Sequence, residues 1–282
     1  MTDTHLTAPT RFVELDGDRF AYRRWGNVAS GQPPLFFLQH FRGGMDNWDP
    51  AMTDGLAAGR EVILYNGRGV ASSTGNPRNR IEDMADDAAA FLRALGLATV
   101  DVVGFSLGGM QAQDLTLRHP DLVRKLMLLG TGPRGGTISS DPGVLQHATQ
   151  AVPTVENFLY LFFGRSQAAI EAGRAFWARR HQRADQDAPS SPEAMQAQIE
   201  SNVAWLSPLD TVAPFAHLKA IKQPTFILNG NDDVMIPTIN SYAMAQAIPN
   251  AQLILYPDAG HGAHFQYPER FLAHAIEFLD RA

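Results

Sequence analysis

Gly104-Phe105-Ser106-Leu107-Gly108-Gly109 constrains this chain more than any other stretch. An apolar run, Val100-Asp101-Val102-Val103, precedes it, and a segment with helical spacing, Met110 to Arg118, follows. Strand, G-x-S-x-G, helix is the setting of a nucleophile elbow. A serine at the tip of so sharp a turn takes strained backbone angles, and side chains two residues away on either side would collide. Gly104 and Gly108 remove those side chains. The turn lifts the Ser106 hydroxyl clear of a sheet and leaves the Leu107 N–H free at a helix N-terminus, where negative charge is favoured.

The rest of the chain supplies a sheet for that turn. Arg11–Leu15 and Arg19–Arg23, around Asp16-Gly17-Asp18, read as a β-hairpin. Leu35–Leu38 and Val62–Tyr65 are continuous apolar runs, as expected of buried strands. A helix is expected from Ile81 to Leu95, with Met84, Ala88, Phe91, Leu92 and Leu95 on one face. Leu126–Leu129 is the strand after the elbow, and Thr225–Asn229 and Gln252–Tyr256 are two more. Alternating strands and helices indicate an α/β fold, with a mostly parallel eight-stranded sheet covered on both faces. Phe265 to Leu279 is expected to close the chain as one helix.

Between Pro133 and Pro214 the strand rhythm stops. Thr154–Phe163 and Gln167–Arg180 have amphipathic helical spacing, and Ala184–Pro192 reads as a polar exposed connection. The expected organisation is a core of residues 1–134 and 214–282, with a helical cap inserted as residues 135–213. Large apolar residues crowd that insertion, so some are expected to face a site beneath it. Trp177 and Trp205 are the candidates.

Composition narrows the function classes. The chain has 282 residues, 45% hydrophobic and 18% charged, which suits a large core. Its net charge of −6 offers no basic excess to hold nucleic acid or an anionic membrane surface. It has no cysteine, which excludes disulfides and thiolate chemistry and agrees with a reducing cytoplasm, the expected location. The polar Met1–Thr10 run lacks a signal core, and no apolar run approaches the length of a membrane span. No His/Asp/Glu cluster has metal-ligand spacing, so neither metal nor cofactor is expected.

A serine hydroxyl needs a histidine to take its proton and a carboxylate to orient that histidine. Both residue types occur after later strands. Gly230-Asn231-Asp232-Asp233 follows one, and Pro257-Asp258-Ala259-Gly260-His261-Gly262 follows the next. The order Ser, Asp, His and the strand-end placement make the chain resemble the α/β-hydrolase fold family. The similarity is greatest to its capped esterase, perhydrolase (non-haem haloperoxidase-like) and carbon–carbon bond hydrolase branches. The resemblance implies Ser106 as nucleophile, His261 as base and acid, and an aspartate as orienter. The family's spacing selects Asp233, while side-chain direction leaves Asp232 open. His264 reads as a surface or supporting residue, and His119 as a helix C-terminal one.

The second oxyanion donor falls in Leu38-Gln39-His40-Phe41-Arg42-Gly43-Gly44, where the family often has His-Gly. Alignment on the strand end and Trp48 makes Phe41 the donor beside Leu107, whereas alignment on histidine makes it Arg42. Either way a residue with a side chain occupies the usual glycine position, which narrows the pocket or aims His40 or Phe41 at the site. Arg42 is a further candidate for the entrance. Asn66 and Ala71 stand where the family commonly has aspartate and glycine. The implied activity is cofactor-independent hydrolysis of a small ester or lactone through an acyl-enzyme. Perhydrolysis and carbon–carbon cleavage of a diketone use the same triad, and an idle, ligand-binding member is the remaining possibility.

Overall fold

The computed structural model describes residues 3–209 and 211–281. Met1 and Thr2 of the polar N-terminal run, Asp210 of the expected cap, and Ala282 lie outside the described residues. In chain order the elements are β1 (Arg11–Leu15), β2 (Asp18–Gly26), β3 (Leu35–Leu38), α1 (Pro50–Ala57), β4 (Glu61–Tyr65), α2 (Ile81–Ala94), β5 (Val100–Phe105) and α3 (Leu107–Arg118). Next come β6 (Val123–Leu129), α4 (Pro142–Ala148), α5 (Val155–Phe162), α6 (Gln167–Arg180) and α7 (Pro192–Leu206). The chain ends with β7 (Thr225–Gly230), α8 (Ile239–Ala247), β8 (Ala251–Tyr256), α9 (Ala263–Gln266) and α10 (Pro268–Asp280).

The strands form one eight-stranded sheet in the order β1-β2-β4-β3-β5-β6-β7-β8. The β1–β2 hairpin is antiparallel and β2 pairs antiparallel with β4. Every later pairing is parallel. The period-2 pleat explains why the central strands are apolar throughout. Leu35, Phe37, Val103, Phe105 and Leu129 pack on one face with Met52, Phe265 and Phe271 of α1, α9 and α10. Their neighbours Phe36, Leu38, Val102 and Leu128 pack on the other with Phe91, Leu115 and Met244 of α2, α3 and α8. Each such side chain contributes about 1.5–3 kcal/mol on burial. Phe158, Leu161, Phe162 and Phe176 of the inserted helices join the first face, so the insertion shares the core's packing.

Two of the differences from the sequence reading have a local cause. Strand β6 starts at Val123 rather than Leu126, because its polar residues are paired. Arg124 donates to Asp101 at 2.8 and 2.5 Å, and Lys125 reaches the Phe278 and Leu279 carbonyls. The last helix is two helices, since Tyr267 (φ −127°, ψ 61°) precedes Pro268 and leaves the helical region. Helices α1, α4, α7 and α8 form where the sequence reading placed no helix.

Candidate active site

The elbow forms as its glycines require. Ser106 has φ 56° and ψ −118°, the left-handed side of the map that a non-glycine residue enters only when its surroundings hold it there. Its N–H donates to Leu129 O at 2.9 Å, and its carbonyl accepts from Gly109 N–H and the Thr131 hydroxyl. A Cβ on Gly108 would lie 2.0 Å from Leu38 O, and one on Gly104 2.4 Å from Gly108 O. Both glycines are therefore set by close backbone approach between β3, β5 and α3.

Strand ends converge on Ser106, as expected outside the carboxyl edge of a parallel sheet. The loop after β7 carries Asp233, and the loop after β8 carries His261. His261 Nδ1 donates to Asp233 Oδ2 at 2.8 Å, with both side chains fully buried. Asp233 Oδ1 accepts from the Met235 and Ile236 N–H groups at 2.8 and 2.9 Å, which fixes the carboxylate. His261 Nε2 has no partner among the described residues and stays open as an acceptor. The His261 ring rests against Phe105 and Phe162 at 5.0 and 5.5 Å between centroids. Asp232, the sequence alternative, is exposed, and its N–H donates to Ala259 O.

Ser106 and His261 line one cavity of about 270 Å³. His40, Phe41 and Arg42 form part of its wall, and Phe158, Leu161, Phe162, Trp177 and Arg180 of the insertion form another. The Ala184–Pro192 connection is mostly exposed, as read, yet Asp187, Ala188 and Pro189 also line the cavity. Trp205 is a correction. It is absent from the cavity wall, because its indole N–H donates to Gly132 O and its ring packs with Leu107 and Met110 beneath Arg134. Arg42 reaches the cavity, but its guanidinium donates to the Ala148, Gln150 and Ala151 carbonyls and ties the insertion down. Its backbone N–H donates to Gln198 Oε1 at 2.6 Å, whereas Phe41 N–H has no partner among the described residues.

Residues 33–268 match the alpha/beta hydrolase fold model. The chain belongs to the α/β-hydrolase fold family. An alpha/beta hydrolase fold protein from Chitinophaga pinensis has a TM-score of 0.92 and 37% identity, covering 99% of this chain and 100% of that one. The 2-hydroxy-6-oxo-6-phenylhexa-2,4-dienoate hydrolase of Burkholderia cepacia is 24% identical, covering 99% of both chains. The sn-1-specific diacylglycerol lipase of Mus musculus is 28% identical over 96% of this chain and 85% of its own. By family and relatives the chain is a hydrolase.

The departures from the family pattern have local causes. Asn66 Oδ1 accepts from Met45 N–H at 2.9 Å, while Nδ2 donates to Asp187 Oδ2 at 2.7 Å. An aspartate at position 66 would set two carboxylates against each other, so the amide matches the inserted loop. Ala71 keeps a left-handed φ of 51°, a conformation that costs a non-glycine residue about 1–2 kcal/mol.

Two more imidazoles sit beside His261. His40 Nδ1 donates to Phe41 O at 2.7 Å, and its Nε2 is buried without a partner among the described residues. Of the two readings of His264, surface or supporting residue, the structure gives the second. His264 is fully buried against Phe105 and Phe265, at 4.4 and 4.0 Å, with both ring nitrogens unpartnered among the described residues. The Gly262-to-Gln266 turn points it inward under Trp48. Burial pushes the His40 pKa down to about 3 and that of His264 well below its ordinary value. The folded protein keeps these rings neutral, while the unfolded chain protonates them below about pH 6.5. Their contribution is therefore complete at pH 7 and is lost as pH falls from about 6.5 towards the depressed folded values. Denaturant titrations at pH 7 and pH 5 are expected to show a stability loss, and His264→Phe is expected to make that loss smaller. An unchanged loss would mean that His264 titrates normally in the fold.

Proposed function

We propose that this protein is a serine hydrolase that cleaves a small ester or lactone, and that its reaction needs no cofactor. The observation that carries the reading is the line from Asp233 through the His261 imidazole to a cavity that also holds Ser106. With Nδ1–H committed to Asp233, the neutral imidazole has its lone pair on Nε2, the atom required to take the Ser106 proton. Ser106 Oγ then attacks the carbonyl carbon, and the developing oxyanion is met by the Leu107 and Phe41 N–H groups. His261 returns the proton to the leaving alcohol, which departs and leaves an acyl-enzyme. Water, deprotonated by the same Nε2, releases the acid and restores the serine. The inserted helices act as a cap, and their aromatic wall and the cavity's size favour a compact, partly apolar substrate over a polymer.

The diacylglycerol lipase of Mus musculus is, by its name, an ester hydrolase, and it supports this reading. The dienoate hydrolase of Burkholderia cepacia supports a second, hydrolytic carbon–carbon cleavage on the same triad. Turnover of a panel of 4-nitrophenyl acyl esters, lactones and vinylogous diketones separates the two. Short esters or lactones are expected to turn over fastest. Faster diketone cleavage would select the second reading. No turnover of any class, with no labelling by a fluorophosphonate, would overturn both.

A further inference from the structure

Helix α6 ends on two arginines that differ in surroundings. They stand about 100° apart around the helix, so they face different neighbours. Arg179 turns to the core and holds Asp49 through two contacts of 2.9 and 2.6 Å. Arg180 turns to the cavity, where no carboxylate lies within ion-pair reach among the described residues. The residue as a whole is half-buried, yet its Nε and Nη1 are shielded from solvent and have no hydrogen-bond partner among the described residues. Its guanidinium carbon instead sits 4.6 Å from the Phe158 ring centroid, 5.0 Å from Trp177 and 5.9 Å from Phe176.

A buried cation without a counter-ion costs stability, and aromatic faces offset only part of that cost. Burial lowers the Arg180 pKa to about 10, and the Asp46 carboxylate opposes the fall. Asp46 is already engaged by Arg23 and by the Asp187 N–H. Asp187, the other acid in the wall, takes the Asn66 amide at 2.7 Å. The acids around the cavity are therefore satisfied within the protein, and the Arg42 guanidinium is held by three carbonyls. Arg180 is the cavity's uncommitted charge among the described residues. The guanidinium fork fits a carboxylate in two-point contact, and the three rings fix the plane in which it is presented.

We propose that Arg180 receives a carboxylate carried by the substrate away from its scissile carbonyl, so that the substrate is a small anionic acyl compound rather than a neutral one. The assignment rests on the serine-hydrolase reading of the same cavity. It is separate from the oxyanion site, which is built from backbone N–H groups at Leu107 and Phe41. It gives the aromatic cap a second task, since Phe158 and Trp177 shape the cavity and also hold the cation.

The test compares mono-4-nitrophenyl glutarate with the terminal amide of the same ester, using the full-length protein. Wild type is expected to prefer the carboxylate in kcat/KM. Arg180→Gln is expected to lose about 10- to 100-fold on the carboxylate ester, mainly through KM, and under about threefold on the amide. Arg180→Lys keeps the charge without the fork and is expected to fall between the two. Equal losses on both esters would assign Arg180 to cap packing and overturn the proposal, as would a wild-type enzyme without preference. Calorimetric titration of Ser106→Ala with monomethyl glutarate and with its neutral terminal amide reads the subsite without chemistry. Tighter binding of monomethyl glutarate than of the amide, lost in the Ser106→Ala/Arg180→Gln double variant, is expected. If neither ester turns over but this binding difference holds, the hydrolase reading fails and the anion site stands. If binding is equal, the anion site fails whatever the esters show.

Discussion

Replacing Ser106 with alanine is expected to lower kcat on short esters by about 10⁵- to 10⁶-fold while leaving the fold intact. The size follows from the assigned role. Without Oγ there is no covalent acceptor for the acyl group, and only the oxyanion donors and the cavity remain to assist attack by water. The survival of the fold follows from how the elbow is held. Its bonds to Leu129, Gly109 and Thr131 use the Ser106 backbone, so deletion of the hydroxyl removes none of them. The flanking glycines, whose neighbours leave no room for a Cβ, are untouched. The check is steady-state kinetics beside fluorophosphonate labelling and a thermal melt. Expected are lost turnover, lost labelling and a melting temperature within a few degrees of wild type. Retained turnover would place the nucleophile elsewhere.

Much of this site was legible because strands and strand ends carry strong local signals. The apolar runs Leu35–Leu38 and Val62–Tyr65 became β3 and β4 almost residue for residue, since strands buried on both faces tolerate few polar positions. Ser106, Asp233 and His261 could be read from their places after strands, and the structure brings them to one cavity wall or its immediate support. Legibility failed where a residue's direction decides its role. Arg179 and Arg180 are identical neighbours in sequence, and only helix rotation sends one to Asp49 and the other to the cavity. Trp205 and Trp177 looked equivalent in an aromatic insertion. Trp205 found a carbonyl acceptor in the core, whereas Trp177 stayed in the wall. His264 follows His261 by three residues, and its place at a helix start left surface and supporting roles both open. The short α9 turn carries it under Trp48 and Phe105. The insertion was hardest, because its placement depends on distant partners such as Arg42 with the 148–151 carbonyls and Asn66 with Asp187. No local pattern encodes those pairs.

Asp233→Asn and Asp232→Asn are expected to part by about four orders of magnitude in kcat, which makes the pair a sharp test of the triad's geometry. Asp233 uses both oxygens. Oδ1 accepts two backbone N–H groups, and Oδ2 accepts from His261 Nδ1. In the asparagine variant the amide oxygen stays with the Met235 and Ile236 N–H groups, because an amide nitrogen there would face two donors. The amide nitrogen is then directed at His261 Nδ1 and donates to it. That contact requires a lone pair on Nδ1 and so moves the imidazole proton to Nε2, where it blocks uptake of the serine proton. The introduced amide nearly matches the carboxylate in shape, so the loss is one of proton placement rather than packing. Asp232 is exposed and meets the neighbouring loop through its N–H, which the substitution preserves. Its variant is expected to stay within about twofold of wild type, as surface substitutions remote from a site usually do. The measurement is kcat of each variant on one activated ester, with a melt for each. A large loss in Asp232→Asn with Asp233→Asn active would reverse the assignment. Equal large losses at unchanged stability would show that His261 draws on both carboxylates.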